Sequence, residues 1–152
     1  MARSSNQKLK LLYIVKILQE KTNDSCGITT NDLIKELEKY EIKAERKSIY
    51  TDIEALQNFG YDIVSSKAKE NGGYRLASRS FELPELKLLV DAVQASKFIT
   101  LKKSRELISK IGSLTNEMDA KQLKRQVFVS DRIKTENESI YYNVDYIHRA
   151  IQ

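Results

Sequence analysis

Residues 44–76, AERKSIYTDIEALQNFGYDIVSSKAKENGGYRL, decide how the rest of the chain is read. Ile49, Ile53, Leu56 and Gly60 recur every three to four residues, the period of a helix with one buried face. The other face carries Arg46, Lys47, Ser48, Tyr50, Thr51, Gln57 and Asn58. These side chains donate hydrogen bonds to phosphates or base edges, which is what a helix lying in a DNA major groove requires. Directly afterwards Asp62, Val64, Lys67 and Lys69 lie among Tyr61, Ile63 and later Tyr74 and Leu76, the alternation of half-buried strands. Asn71, Gly72 and Gly73 mark the turn region of a hairpin, because glycine accepts the positive φ of tight connections. The reading is a recognition helix over 45–60 and a basic wing over 62–76, the wing carrying Lys67, Lys69 and Arg75 toward phosphates or a minor groove. Solubility of an exposed hairpin is the plain alternative for the two lysines, and half-buried packing the alternative for Tyr50.

Working outward, a first helix is expected over 7–21, with Leu11, Leu12, Ile14, Val15 and Leu18 as its buried stripe. Thr29 is placed to cap a second helix, with Asp32 in a near capping-box position and Leu33, Ile34 and Leu37 on its inner side. Residues 40–44 are too short for another element. Two helices joined by so short a link, preceded by a packing helix and followed by a hairpin, predict a winged helix-turn-helix.

After Leu76 the composition shifts, and 78–80 is the expected boundary between a domain over 1–77 and a helical one over 78–152. Pro84, the only proline, suits the first turn of a helix. Leu86, Leu89, Val90 and Val93 give that helix a stripe ending near Phe98. Thr100 is the expected cap of a further helix closed by Gly112, a short helix is expected over 120–126 and a strand over 127–133. Tyr141, Tyr142, Val144, Ile147, His148 and Ile151 begin an amphipathic helix. The predicted class is therefore mainly α with a small β-hairpin.

Of the 152 residues, 41% are hydrophobic and 31% charged, the balance of a soluble globular protein, and no apolar run approaches the roughly 20 residues of a membrane span. The start MARSSNQK lacks the apolar core of an export signal, and one cysteine, Cys26, cannot form an internal disulfide; both fit a cytoplasmic protein. The net charge of +5 permits an anionic partner without requiring one. Residues 1–77 hold 13 Lys and Arg against 11 Asp and Glu, so any affinity for DNA must come from the placement of a few charges.

Several chemistries lack their residues. His148 is the only histidine, Cys26 has no partner ligands for zinc, and Gly72–Gly73 is not followed by the Lys and Ser or Thr of a phosphate-binding loop. Asp52 and Glu54, two apart on a helix, point to different sides and do not form a catalytic carboxylate pair. No enzyme, cofactor or metal is expected.

The stretch IYTDIEALQNFGYDI followed by NGGYRL resembles the N-terminal winged helix of bacterial WYL-domain transcriptional regulators, which is close to that of DeoR-like repressors. Glu45, Arg46, Lys47 and Ser48 stand at the start of the family pattern, and Ile49, Tyr50, Asp52, Ile53 and Leu56 in its core. Gly60 and Ile63 match the strand entry, Gly72, Gly73 and Tyr74 the wing, and Thr51 stands where the family usually has Arg. FELPELKLLVDAVQASKFIT and VFVSDRIKTENESIYYNVDYIHRAI are similar to the helical middle region of the same family. The resemblance implies sequence-specific binding to double-stranded DNA, a homodimer, and transcriptional regulation. Any effector ligand would be expected on a WYL domain that the 152 residues do not include. An adaptor that uses a winged helix to bind protein is the competing expectation.

Overall fold

The computed structural model describes residues 5–66, 72–126 and 134–151. Among them are seven α-helices and one two-stranded antiparallel sheet, grouped in two units, Met1–Arg79 and Ser80–Gln152.

In the first unit a 3-10 turn, Ser5–Leu9, leads into helix α1 (Lys10–Lys21), which buries Ile14, Val15, Ile17 and Leu18 together with Lys10. Leu11 and Leu12, expected in the buried stripe, are instead 38% and 66% exposed. The run KLLYIVKIL is apolar on almost every side, so period alone does not choose its inner face. The choice falls with Lys10, whose ammonium pairs with Asp52 and donates to the Ser48 hydroxyl, and Ile14, Ile17 and Leu18 follow on the same side.

Helix α2 (Thr30–Glu38) begins where Thr29 Oγ1 accepts the Asp32 N–H at 3.2 Å while the hydroxyl donates to the Asp32 carboxylate at 2.7 Å. It ends in a turn with Glu41 at φ 60°, and the Ile42 N–H returns to the Leu37 carbonyl at 3.1 Å. That turn drops Ile42 into the core, fully buried. Side-chain amides of the 3-10 turn hold the link: Asn6 donates to the Tyr40 carbonyl at 3.0 Å and Gln7 to that of Lys43 at 2.8 Å.

Helix α3 (Arg46–Phe59) buries Ile49, Ile53 and Leu56. Gly60 does not continue this stripe; it is exposed, at φ 117°, and closes the helix. Its N–H reaches the Gln57 carbonyl at 3.0 Å and the Tyr61 N–H reaches that of Leu56 at 3.0 Å, the left-handed closure for which glycine is favoured.

Strands β1 (Ile63–Ser66) and β2 (Gly73–Leu76) pair antiparallel, Ile63 opposite Leu76 and Ser66 opposite Gly73. On its other edge β2 meets the segment that leads from α1 into α2. Ile28 and Tyr74 exchange backbone hydrogen bonds, each 2.8 Å, so a single residue ahead of α2 extends the ladder. The glycines also differ from expectation. Gly73 lies in the strand at φ 118°, and a Cβ there would come within 2.2 Å of the Ile28 oxygen; its lack of a side chain serves this approach as well as the hairpin. The side chains Ile14, Leu18, Leu33, Leu37, Ile49, Ile53, Ile63 and Leu76 share one core.

In the second unit helix α4 (Leu83–Ala95) has Pro84 in its first turn, and the Glu85 carboxylate accepts the Glu82 N–H at 2.8 Å. It stops short of Phe98, and the Lys134 ammonium donates to the Val93 and Ser96 carbonyls at 2.8 and 3.0 Å. Helix α5 (Leu101–Gly112) starts at Thr100, whose hydroxyl oxygen accepts the Lys103 N–H at 3.2 Å. Gly112 does not close it from a left-handed position. The helix runs through that buried glycine to Ser113, whose hydroxyl donates to the Lys110 carbonyl at 2.7 Å.

Helix α6 (Glu117–Gln126) begins before Ala120 because Asn116, wholly buried, accepts the Met118 and Asp119 N–H groups at 3.0 Å each. Leu86, Val90, Ile108 and Leu123 form this unit's core. Helix α7 (Ser139–Ile151) buries none of its side chains. The strand expected over 127–133 lies outside the described residues. Among the described residues no helix is long and apolar enough to cross a membrane.

Candidate nucleic-acid interface

The polar face of α3 is set by what its opposite face buries. With Ile49, Ile53 and Leu56 inside, the helical period turns Lys47, Thr51, Glu54 and Asn58 outward in one row, and all four are exposed. Arg46 and Tyr50 flank the row, Tyr50 with 47% of its surface open. The first turn of α3 contains Arg46 and Lys47 and no acidic residue, so cationic side chains coincide with the positive end of the helix dipole.

The residues named from sequence divide by what already holds them. Arg46, Lys47, Tyr50 and Asn58 stand exposed on α3. Thr51 is exposed, but its hydroxyl donates back to the Lys47 carbonyl at 3.3 Å. Ser48 is half-buried and accepts from Lys10, which turns it toward α1. Gln57 donates its amide to the Ile63 carbonyl at 2.6 Å and so ties α3 to the first strand. Arg75 pairs with Asp24 at 2.9 Å. Lys67 and Lys69 lie outside the described residues.

Beneath the row, the Lys10–Asp52 ion pair fixes the rotation of α3 against α1. At its edge, the sheet and the helix approach through Tyr74 and Tyr50. Burial pushes the Tyr74 phenol up from its ordinary value, the nearby Tyr50 adds to the rise, and a hydrogen bond with Thr30 opposes both. Thr30 of α2 thus bonds to Tyr74 of β2, and Tyr50 of α3 lies near enough to act on the same phenol.

From sequence, Glu54 is weighed only as half of a carboxylate pair with Asp52, yet the spacing that lines up Lys47, Thr51 and Asn58 includes it as directly. Phe59, 82% exposed with its ring 6.0 Å from that of Tyr61, was also not singled out. Among the described residues no group of His, Cys, Asp and Glu is arranged to hold a metal ion, and Cys26 is a free thiol. Comparison with protein-family models, with curated proteins and with solved structures returned no match.

Proposed function

We propose that the chain is a DNA-binding transcriptional regulator whose first unit is a winged helix-turn-helix and whose α3 is laid in the major groove of double-stranded DNA. The observation that carries this reading is the exposed row on α3, with Lys47, Thr51 and Asn58 in line and Arg46 and Tyr50 beside it. The bond exchange between Ile28 and Tyr74 adds support, since it makes the hairpin an extension of the helical unit. The likeness of residues 44–76 to WYL-domain regulators favours the same reading. By that likeness residues 78–152 serve as a helical linker or dimerisation unit, the protein acts in the cytoplasm as a homodimer, and no catalysis or cofactor is involved.

The test is titration of duplex DNA by the full chain at several salt concentrations. Binding whose logarithm falls with log salt by about 0.9 per neutralised phosphate supports the reading. Replacing Arg46 and Lys47 together by alanine should lower the affinity and make that slope shallower by about two phosphates.

A second reading, a winged helix that binds protein, draws on the apolar ring of Phe59 at the end of the same helix. Duplex binding and salt slope unchanged by the Arg46 and Lys47 replacements would favour it.

A further inference from the structure

Resting on the DNA reading above, we propose that Glu54 is a specificity residue that accepts a hydrogen bond from the exocyclic amine of a cytosine. Glu54 occupies the middle of the outward row, between Thr51 and Asn58. Its neighbours three and four positions away on the helix are Tyr50, Thr51, Gln57 and Asn58, none of them cationic, so no adjacent helical position neutralises it. Its side chain forms no hydrogen bond or ion pair with the described residues.

A carboxylate in this position faces a choice set by the groove. Against phosphates it is repelled, and it loses hydration on entry without a compensating partner. The floor of the major groove offers donors in only two places, N4 of cytosine and N6 of adenine; guanine and thymine edges present acceptors. Of the two donors, adenine N6 lies beside the N7 acceptor, which a carboxylate meets unfavourably. Cytosine has no such acceptor on its major-groove edge. Glu54 thus weakens binding to arbitrary sequence and restores it where a cytosine stands below the helix. The helix rises about 1.5 Å per residue, so Asn58 lies about 6 Å further along, and the base it reads is within about two base pairs of that cytosine.

The experiment is selection of duplexes from a random-sequence library by the full wild-type chain, by Glu54→Gln and by Glu54→Ala. It is followed by titration of the selected duplex and its single-base variants. The wild type should select a cytosine at one position of each half-site and lose about tenfold in affinity when it is changed. Glu54→Ala should bind random duplex more tightly than wild type and show no preference at that position alone. Glu54→Gln, which can both donate and accept, should move the preference there from cytosine to adenine.

If both variants keep the wild-type base preferences while Lys47→Ala weakens binding, the assignment of Glu54 is overturned and the DNA reading stands. Tighter random binding by Glu54→Gln with every base preference retained overturns it too, because the carboxylate would then act only as a repelling charge. A wild-type chain that shows no salt-dependent duplex binding removes both. Glu54 is solvent-exposed and Gln keeps its helix propensity, so loss of fold does not confuse the outcome.

Discussion

The Cα of Gly73 faces the carbonyl of Ile28 so closely that a β-carbon there would stand 2.2 Å from the oxygen and 2.8 Å from the Thr29 nitrogen. Backbone, and no flexible side-chain end, meets the added atom. Gly73→Ala therefore has to open the Ile28–Tyr74 bridge as well as strain φ, and should cost the first unit about 2–5 kcal/mol. Gly60 has the same sign of φ with nothing within 4 Å of a Cβ, so Gly60→Ala should cost about 1–2 kcal/mol. Urea unfolding of both variants checks the ranking; equal losses would show that the bridge contributes little.

Lys10 and Asp52 make a pair that is hard to break from one side. Lys10→Ala leaves a carboxylate whose side chain keeps only 19% of its surface. The loss should be about 2–4 kcal/mol, somewhat below that for a fully enclosed pair. The double variant Lys10→Met, Asp52→Leu should recover most of it, because no charge is then stranded. Denaturant midpoints for the single and double variants measure the difference.

Asp32 gives the first unit a pH signature. Its carboxyl is held below the ordinary value of 3.8, first by the hydrogen bond from Thr29 and then by that from Lys35. A carboxyl with a depressed folded-state pKa stabilises above its unfolded value, and that share is lost as pH falls through the folded one. Urea midpoints of wild type and Asp32→Asn should differ at neutral pH and converge in the acid limb below 3.8. Thr29→Ala should remove the cap, at about 1 kcal/mol, and shrink the same difference.

Arg75 is already engaged by Asp24, an aspartate with 92% of its side chain in solvent. Such a pair is worth about 0–1 kcal/mol, so Asp24→Ala should barely move stability. On the DNA reading it frees a guanidinium on the wing and removes a repelling carboxylate, so duplex affinity should rise and the salt slope steepen. Titration at two salt concentrations reads both.

The helical frame of both units was legible because periodic leucines and isoleucines, a threonine before each of two helices, and Pro84 act through local physics. Ile49, Ile53 and Leu56 are buried where their spacing required, and Thr29 and Thr100 cap where expected. What escaped depended on contacts distant in sequence. Lys10 is buried for Asp52, and Ile28 becomes a strand residue only because Tyr74 arrives beside it. Asn116 was overlooked for a different reason. It follows Leu114 and Thr115 without an apolar periodic run to announce a helix, so its cap became visible only with its bonds in place.

In the candidate interface the exposure of Lys47, Thr51 and Asn58 followed from spacing alone; Glu54 shares that spacing but was not singled out, because phosphates and base acceptors call for donors. The engagement of Ser48 and Gln57 did not follow from spacing, since each is held by a partner on another element: Lys10 on α1 and the Ile63 carbonyl on β1.

An isolated two-stranded hairpin is marginal in water, yet β2 here is laced on its outer side to the loop ahead of α2. A contact so remote along the chain has to wait for the intervening helices, so the Ile28–Tyr74 bridge is expected to close late in folding even though the β1–β2 pairing is local. The amide proton of Tyr74, bonded to Ile28, should then exchange with solvent only when the whole unit opens.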